Sequence, residues 1–181
     1  EGLSSHSDFR FLWIGRANAE QDPLYEEVTE MIERLQLKDR LTLLKVTGSP
    51  DRYLAALDVF VLTSREDPFP LVCLEAANHS KPVICFAGAG GMPEFVGEDA
   101  GAVVPLGDLT ALAGAVEDFY LDPASRFNAG AAAKRKAENE FSADRSCAEL
   151  FEVLRRRRDA RGSIDFDLNE AEVIMGEGGM V

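Results

Sequence analysis

The sequence predicts an α/β fold in which helices cover both faces of a parallel sheet. Three observations lead to this prediction. Strand-like and helix-like segments alternate from residue 9 to residue 105, and the segment at 58–64 is apolar on both faces, as buried parallel strands are. Hydrophobic residues make up 46% of the 181-residue chain, which is enough for one sizeable core. In such a sheet, ligands bind beyond the carboxyl ends of the strands.

The chain opens with a strand, a helix and a second strand. Residues 9–15, FRFLWIG, are rich in aromatic and β-branched side chains and end at a glycine, which predicts a strand. Residues 23–37 start with a proline and repeat apolar side chains at helical spacing, which predicts a helix. The segment RLTLLKV at 40–46 predicts the second strand.

A short helix and a third strand follow. We expect a helix over 49–57, with Ser49 as its cap and Pro50 at its first position. Residues 58–64, DVFVLTS, predict the third strand, and its carboxyl end leads into an unusual turn.

The next elements continue the alternation. Residues 70–80, PLVCLEAANHS, predict a helix, KPVICFA at 81–87 predicts the fourth strand, and GAVVP at 101–105 predicts a short fifth strand. Trp13 and the phenylalanines are expected in the core.

The last third of the chain is helical. Apolar side chains recur every three or four positions in 108–120 and 142–158, and residues 124–139 are rich in alanine and charge, so each segment predicts a helix. Residues 159–181 lose this periodicity and gain glycine and acids. We expect a domain over 1–158 and an acidic flexible tail or linker over 159–181.

Charge excludes two classes of partner. The net charge of −13 repels nucleic acid and anionic lipid, so we expect no nucleic-acid binding and no membrane contact from this chain. No run of 18 apolar residues and no signal-peptide pattern occurs, which favours a cytoplasmic protein.

The cysteines and histidines do not form a metal or catalytic pattern. Cys73 and Cys85 lie in apolar runs and are expected to be small buried hydrophobes, and none of the three cysteines forms a CxxC. The two histidines are too few and too isolated for a zinc site or a Ser/His triad. We therefore expect no metal.

The turn after the third strand can bind an anion. Pro70 can open the next helix, so the backbone amides of residues 69–72 would lie at a helix N-terminus, where they have no intrahelical acceptor. Since proline has no N–H, the donors would be Leu71 and Val72. Such a terminus suits phosphate.

Carboxylates flank this helix start. Glu66 and Asp67 precede it, and Glu75 follows Asp67 by eight positions, about one turn inside the helix. Carboxylates at this spacing could hold hydroxyl pairs on two sugars that flank a phosphate. The alternative is that Asp67 caps the helix and Glu75 is a solvated surface residue.

Two further segments end at the same predicted edge of the sheet. The loop FAGAGGMPE at 86–94 contains Gly88, Gly90 and Gly91, which permit positive φ and close approach of a ligand to backbone, although glycine turns after strands are common. Arg16 follows the first strand and could pair with a diphosphate, the alternative being a surface arginine.

Taken together, these segments resemble a known enzyme family. GR at 15–16, YLAALDVFVLTSREDPFPLVCLEA at 53–76 and KPVICFAGAGGMPEFV at 81–96 resemble the C-terminal, donor-binding half of GT-B glycosyltransferases. The similarity is to the retaining family 4, or glycosyl transferases group 1, and runs from about residue 9 to residue 156. It implies a Rossmann-like parallel sheet that forms one half of a GT-B fold.

The resemblance also implies a role for each site residue. Glu75 would bind the ribose hydroxyls of a nucleotide sugar, Asp67 would hold the donor sugar, and Glu66 lies one position out of register. Arg16 would bind the diphosphate. The remaining implied contacts are backbone groups of the turn and of the glycine loop: Phe69, Pro70, Leu71, Val72, Gly90 and Gly91.

The implied function is sugar transfer from a UDP-, GDP- or ADP-linked donor to an acceptor, without a metal or cofactor, in bacterial surface glycan synthesis. The family's N-terminal acceptor domain is missing from this chain, so the isolated chain is expected to be inactive. In the full-length protein, the inner face of the membrane is an alternative location.

One departure from the family keeps other functions open. A lysine usually follows the arginine by about six residues, whereas this chain reads ANAEQD at 17–22, with Asp22 at that position. The alternatives are a non-catalytic nucleotide- or sugar-binding module and another GT-B-like enzyme, such as a nucleotide-sugar epimerase. An epimerase would need further acid and base residues, which the sequence does not identify.

Overall fold

The computed structural model describes residues 8–15, 23–45 and 50–161. Arg16, the segment at 17–22 and residues 162–181 lie outside the described residues, as does Ser49. The chain divides into two compact units, Glu1–Glu140 and Phe141–Val181. The limits predicted for the domain and the tail stay a prediction.

The first unit alternates strands and helices through β5 and then becomes helical, as the periodicity indicated. Its elements are β1 Phe11–Gly15, α1 Pro23–Arg34, β2 Leu41–Lys45, α2 Asp51–Ala56, β3 Phe60–Val61, α3 Leu71–Asn78, β4 Val83–Phe86, α4 Met92–Val96, β5 Gly101–Val104, α5 Leu109–Leu121 and α6 Pro123–Asn139. The second unit contains α7, Ala143–Arg161, which carries ion pairs one turn apart such as Arg145–Glu149 at 2.8 Å.

Every strand pair in the described residues is parallel. β1 pairs with β2, from Phe11 opposite Leu41 onwards, and β3, β4 and β5 form a second ladder in that order. The α/β class is confirmed, but the described strands form two sheets of two and three strands instead of one. β3 is also shorter than predicted, because after Leu62, whose amide still donates to Ile84 O at 2.8 Å, the chain leaves the ladder.

The core of the first unit surrounds β4. All four of its side chains are buried, and they alternate between the two faces of the sheet. Ile84 and Phe86 pack on the side of α5, where Leu112 and Ala115 contact both clusters. Cys85 points the other way, towards Cys73 of α3, whose pKa it helps to raise. Helices therefore cover both faces of this sheet, as predicted.

The two cysteine predictions are confirmed, whereas the tryptophan prediction is wrong. The phenylalanine prediction is correct only in part, since Phe86, Phe95 and Phe119 are buried but Phe127 and Phe151 are exposed. Cys73 and Cys85 are fully buried, and burial raises the pKa of Cys73 to about 12 and that of Cys85 to about 11, so both remain protonated thiols. Trp13 is 58% exposed. Among the described residues its strand pairs with β2 alone, and this pairing covers an edge of β1 but not the face from which the Trp13 side chain projects.

Helices α2 and α3 begin one residue later than predicted. Pro50 and Pro70 are the N-cap residues of α2 and α3, not their first helical residues. The sequence pattern also missed α4, a five-residue helix that begins inside the segment 86–94 interpreted as the glycine loop. Its brevity explains the omission, because five residues are too few to show a helical period.

Candidate functional site

Backbone hydrogen bonds join the acidic turn to the glycine loop. The Asp67 amide donates to Ala89 O at 2.8 Å, and the Gly91 amide donates to Pro68 O at 2.8 Å, so that Asp67 and Gly90 form a parallel bridge. This bridge resumes the pairing of β3 with β4 beyond the carboxyl ends of the strands. The structure therefore brings together the two segments that the sequence singled out after these strands.

Gly90 and Gly91 make this close approach possible. Gly90 has φ of +135°, and a Cβ atom there would lie 1.7 Å from Asp67 O. A Cβ atom at Gly91 would lie 2.8 Å from Phe69 Cδ2 and 2.9 Å from Pro68 O. The space that a side chain would need is thus filled by the acidic turn. Gly88 differs, since its φ is +72° and nothing lies within 4 Å of a Cβ atom there.

The start of α3 leaves backbone donors available. Pro70 is the N-cap, with φ −70° and ψ 119°, and no side chain caps the helix. The alternative in which Asp67 caps α3 is therefore wrong. The Cys73 amide donates to Pro70 O at 3.1 Å, whereas the Leu71 and Val72 amides have no acceptor among the residues that the structure describes. These are the two donors that the sequence predicted.

The three carboxylates differ in burial. Asp67 is half-buried, while Glu66 and Glu75 are exposed, so Glu75 is a solvated surface residue in this structure, as the alternative expected. The Asp67 charge contributes to raising the pKa of the Cys73 thiol, which places this carboxylate near the first turn of α3. Within the described part of the chain, no hydrogen bond or ion pair engages the Asp67 or Glu75 carboxylate. Both are free to accept hydrogen bonds from a ligand.

The region beyond the carboxyl ends of β3 and β4 also contains contacts that sequence reasoning missed. The oxygens of Ala89 and Pro68 hold the two loops together, and they are backbone groups without a signature in the sequence. Arg65, an exposed cation in the same turn, follows Ser64 directly and could have been noted from the sequence. The predicted diphosphate ligand Arg16 lies outside the described residues, and its role stays a prediction.

An acid-bearing turn, free amides at a helix start and a glycine loop lie together here, and such groups can accommodate a phosphate beside hydroxyl-bearing groups. The family described as glycosyl transferases group 1 matches residues 2–136, three quarters of the chain. The chain belongs to this family. The resemblance noted in the motifs is thereby confirmed, although the match does not distinguish family 4 from other subclasses.

Several similar proteins are named for lipopolysaccharide core or capsular polysaccharide biosynthesis, and one, from Bacillus anthracis, is an N-acetyl-α-D-glucosaminyl L-malate synthase that is 26% identical over 153 residues, which cover 82% of this chain and 39% of that protein. The lipopolysaccharide core biosynthesis mannosyltransferase LpsB of Rhizobium meliloti is 29% identical over 161 residues, which cover 85% of this chain and 45% of LpsB. The chain spans less than half the length of such relatives.

Solved structures share the fold. HepE from Anabaena, solved in complex with UDP-glucose, is 25% identical with a TM-score of 0.73, and the match covers 81% of this chain and 41% of HepE. The C-terminal domain of LpcC from Francisella tularensis, a glycosyl transferase group 1 protein, is 19% identical with a TM-score of 0.69, covering 78% of this chain and 74% of that domain. This chain therefore has the fold of a GT-B glycosyltransferase domain.

No helix among the described residues is both long enough and apolar enough to cross a membrane.

Proposed function

We propose that this chain is the donor-binding half of a retaining glycosyltransferase of the hexosyltransferase type, which moves a sugar from a nucleoside diphosphate sugar to an acceptor. The observation that supports it is the pair of unengaged carboxylates, Asp67 and Glu75, beside the free amides of Leu71 and Val72. HepE, a structural neighbour at 25% identity, has been solved with UDP and with UDP-glucose, so we expect a uridine nucleotide first. The lipopolysaccharide and capsule relatives favour bacterial surface glycan synthesis.

Each site residue has a role in this proposal. Glu75 accepts hydrogen bonds from the ribose hydroxyls and Asp67 from hydroxyls of the donor sugar. The amides at the start of α3 donate to the diphosphate, which Arg16 also neutralises. Glu66 precedes Asp67 at the rim, and Phe69, Pro70, Gly90 and Gly91 supply the backbone walls beside the sugar.

The proposed site residues can stabilise the charges that develop during sugar transfer. When the bond from the sugar to the diphosphate breaks, negative charge grows on the leaving phosphate and positive charge on the sugar ring. Two amides at the positive end of a helix dipole, together with Arg16, stabilise the phosphate charge without a metal. Asp67 positions the sugar and is not assigned a nucleophilic role. Because the chain spans less than half the length of its glycosyltransferase relatives, we propose that the acceptor site lies outside these residues and that the isolated chain binds the donor but does not transfer sugar.

Calorimetric titration of the chain with UDP, GDP and ADP, each with and without Mg²⁺, tests the proposal. Selective binding of one nucleotide that Mg²⁺ does not change would support it and would identify the base. Absence of binding at millimolar concentrations would contradict it for the isolated chain. Repeating the titration with a protein that spans the full length of the relatives would then show whether the additional residues are needed for affinity.

The variant Glu75→Gln tests the ribose contact. We expect nucleoside diphosphate affinity to fall about tenfold, since hydrogen bonds to a charged group contribute about 1.5 to 3 kcal/mol, while the melting temperature stays nearly unchanged because Glu75 is exposed. Glu138→Gln is the control, because Glu138 is an exposed helical glutamate of α6. A large loss of stability in Glu75→Gln would show that Glu75 is structural.

A non-catalytic nucleotide- or sugar-binding module is the second candidate. The observation in its favour is Asp22 at the position where the family usually has a diphosphate-binding lysine. The full-length protein separates the two functions, since a module would bind the nucleotide sugar without consuming it in the presence of acceptor.

A further inference from the structure

Helix α4 begins at the glycine loop and is too short to fix its own position. Gly91 is its N-cap, and five residues form few internal hydrogen bonds. The side chains of Met92, Phe95 and Val96 are buried, so neighbouring elements hold the helix in place. Gly91 is thus both the start of α4 and the donor of the hydrogen bond to Pro68 O in the acidic turn. A shift of α4 would therefore carry Gly91 away from the acidic turn.

Lys136 of α6 contacts the other end of α4. Its Nζ atom donates to Phe95 O and Val96 O, each at 3.2 Å, and forms an ion pair with Asp99. The three ammonium protons thus match three acceptors, at the helix end where a cation is favoured. The Lys136 side chain is 18% exposed. A Cβ atom at Gly97, where φ is +52°, would lie 2.9 Å from Nζ, so the ammonium lies directly over the helix end.

The helix that carries Lys136 is itself firmly packed. A Cβ atom at Gly130 of α6 would lie 2.1 Å from Ser80 O, so α6 lies against the turn that follows α3. A stripe of α6 is buried: Ala129, Gly130, Ala132, Ala133 and Ala137. Helices α3 and α6 therefore pack as a close pair, and the Lys136 side chain connects that pair to α4.

We infer that Lys136 is a positioning residue for the nucleotide-sugar site. This inference rests on the proposed function. Lys136 acts through α4: its ammonium holds the carboxyl end of this helix, and the helix holds Gly91 against the acidic turn. The start of α3, with its two free amides, and the glycine loop thereby keep one relative position. No contact between Lys136 and the ligand is involved.

The test compares three variants of the chain. Lys136→Met removes the ammonium but keeps an unbranched apolar stem, and Lys136→Arg keeps the charge. Arg126→Met is the matched control, since Arg126 also lies on α6, donates to the α5 carbonyl of Phe119 at 2.9 Å and pairs with Asp58 at 3.7 Å. The contact with Phe119 O is made to α5, which does not lead into the glycine loop, and the longer contact is made to the exposed Asp58, which precedes β3 at the end of that strand opposite to the acidic turn.

The first readout is affinity for whichever of UDP, GDP and ADP the wild type binds best, measured well below all melting temperatures. We expect Lys136→Met to raise Kd about fivefold, with Lys136→Arg and Arg126→Met within about twofold of the wild type. An unchanged Kd in Lys136→Met would overturn the proposal. An equal loss in Arg126→Met would also overturn it, because the effect would then reflect general destabilisation.

The second readout does not depend on a ligand. The Asp67 and Gly91 amides make the two bonds between the loops, so their hydrogen exchange reports loop position. We expect exchange at both amides to be about tenfold faster in Lys136→Met and unchanged in Arg126→Met. Equal exchange in Lys136→Met and the wild type would refute the positioning role. If the wild type binds no nucleoside diphosphate, the proposed function fails, and this readout still decides what Lys136 does.

Discussion

Substituting Gly90 with alanine tests the close approach of the two loops. The new Cβ atom would lie 1.7 Å from Asp67 O, and φ of +135° is a conformation that side chains rarely adopt. The backbone strain costs about 1 to 3 kcal/mol. Separation of the loops also removes two hydrogen bonds, Asp67 N–H to Ala89 O and Gly91 N–H to Pro68 O, at about 1 kcal/mol each. We therefore expect Gly90→Ala to lower the free energy of unfolding by about 3 to 5 kcal/mol.

Gly88→Ala is the matched control for this prediction. Gly88 also has positive φ, +72°, but nothing lies within 4 Å of the added Cβ atom. Its cost should be the strain alone, about 1 to 2 kcal/mol. Urea denaturation of the two variants and the wild type measures the difference. Equal destabilisation by Gly88→Ala and Gly90→Ala would refute the reasoning, because contact with the acidic turn would then contribute nothing.

Three further predictions follow from the same structure. Leu71→Pro removes one amide donor at a helix position that accepts proline, so nucleoside diphosphate affinity should fall about tenfold in calorimetry with little change in melting temperature. The control Leu109→Pro, at the first position of α5, should leave this affinity unchanged. Equal losses of affinity in the two variants would argue against an anion site at the start of α3. Hydrogen bonding from Lys136 lowers the pKa of Asp99 below its ordinary 3.8, so this pair stabilises the fold above that pH and the stabilisation is lost as pH falls through the lowered pKa. The difference in unfolding free energy between wild type and Asp99→Asn, from urea titrations at several pH values, should accordingly shrink below about pH 4, and a difference that is constant with pH would contradict the ion pair. Iodoacetamide at pH 8 should label Cys147 and neither of the two buried cysteines, and mass spectrometry showing more than one label on the native protein would contradict their burial.

Most secondary structure followed from local patterns. The helices α5 and α6 begin within one residue of their predicted starts, because periodic apolar residues in α5 and the alanine-rich, charged composition of α6 are local signals. The structure adds that Asp108 and Asp122 cap these two helices. Burial of Cys73 and Cys85 was likewise predictable from their apolar surroundings. Exposure of Trp13 was not, because it depends on which elements cover β1, and that is a question of long-range contacts.

For the candidate site, too, some features could be predicted from the sequence and others could not. The sequence by itself determined the family, the order of the elements other than α4, and the acids and amide donors at the end of β3, since each is a matter of residue type and spacing. Only the tertiary structure decided that Gly90 makes room for the Asp67 backbone, that no side chain caps α3, and that Lys136 reaches the end of α4. These features depend on atoms brought together from segments far apart in the chain. No local propensity encodes such contacts, because their energy arises only when the core packs.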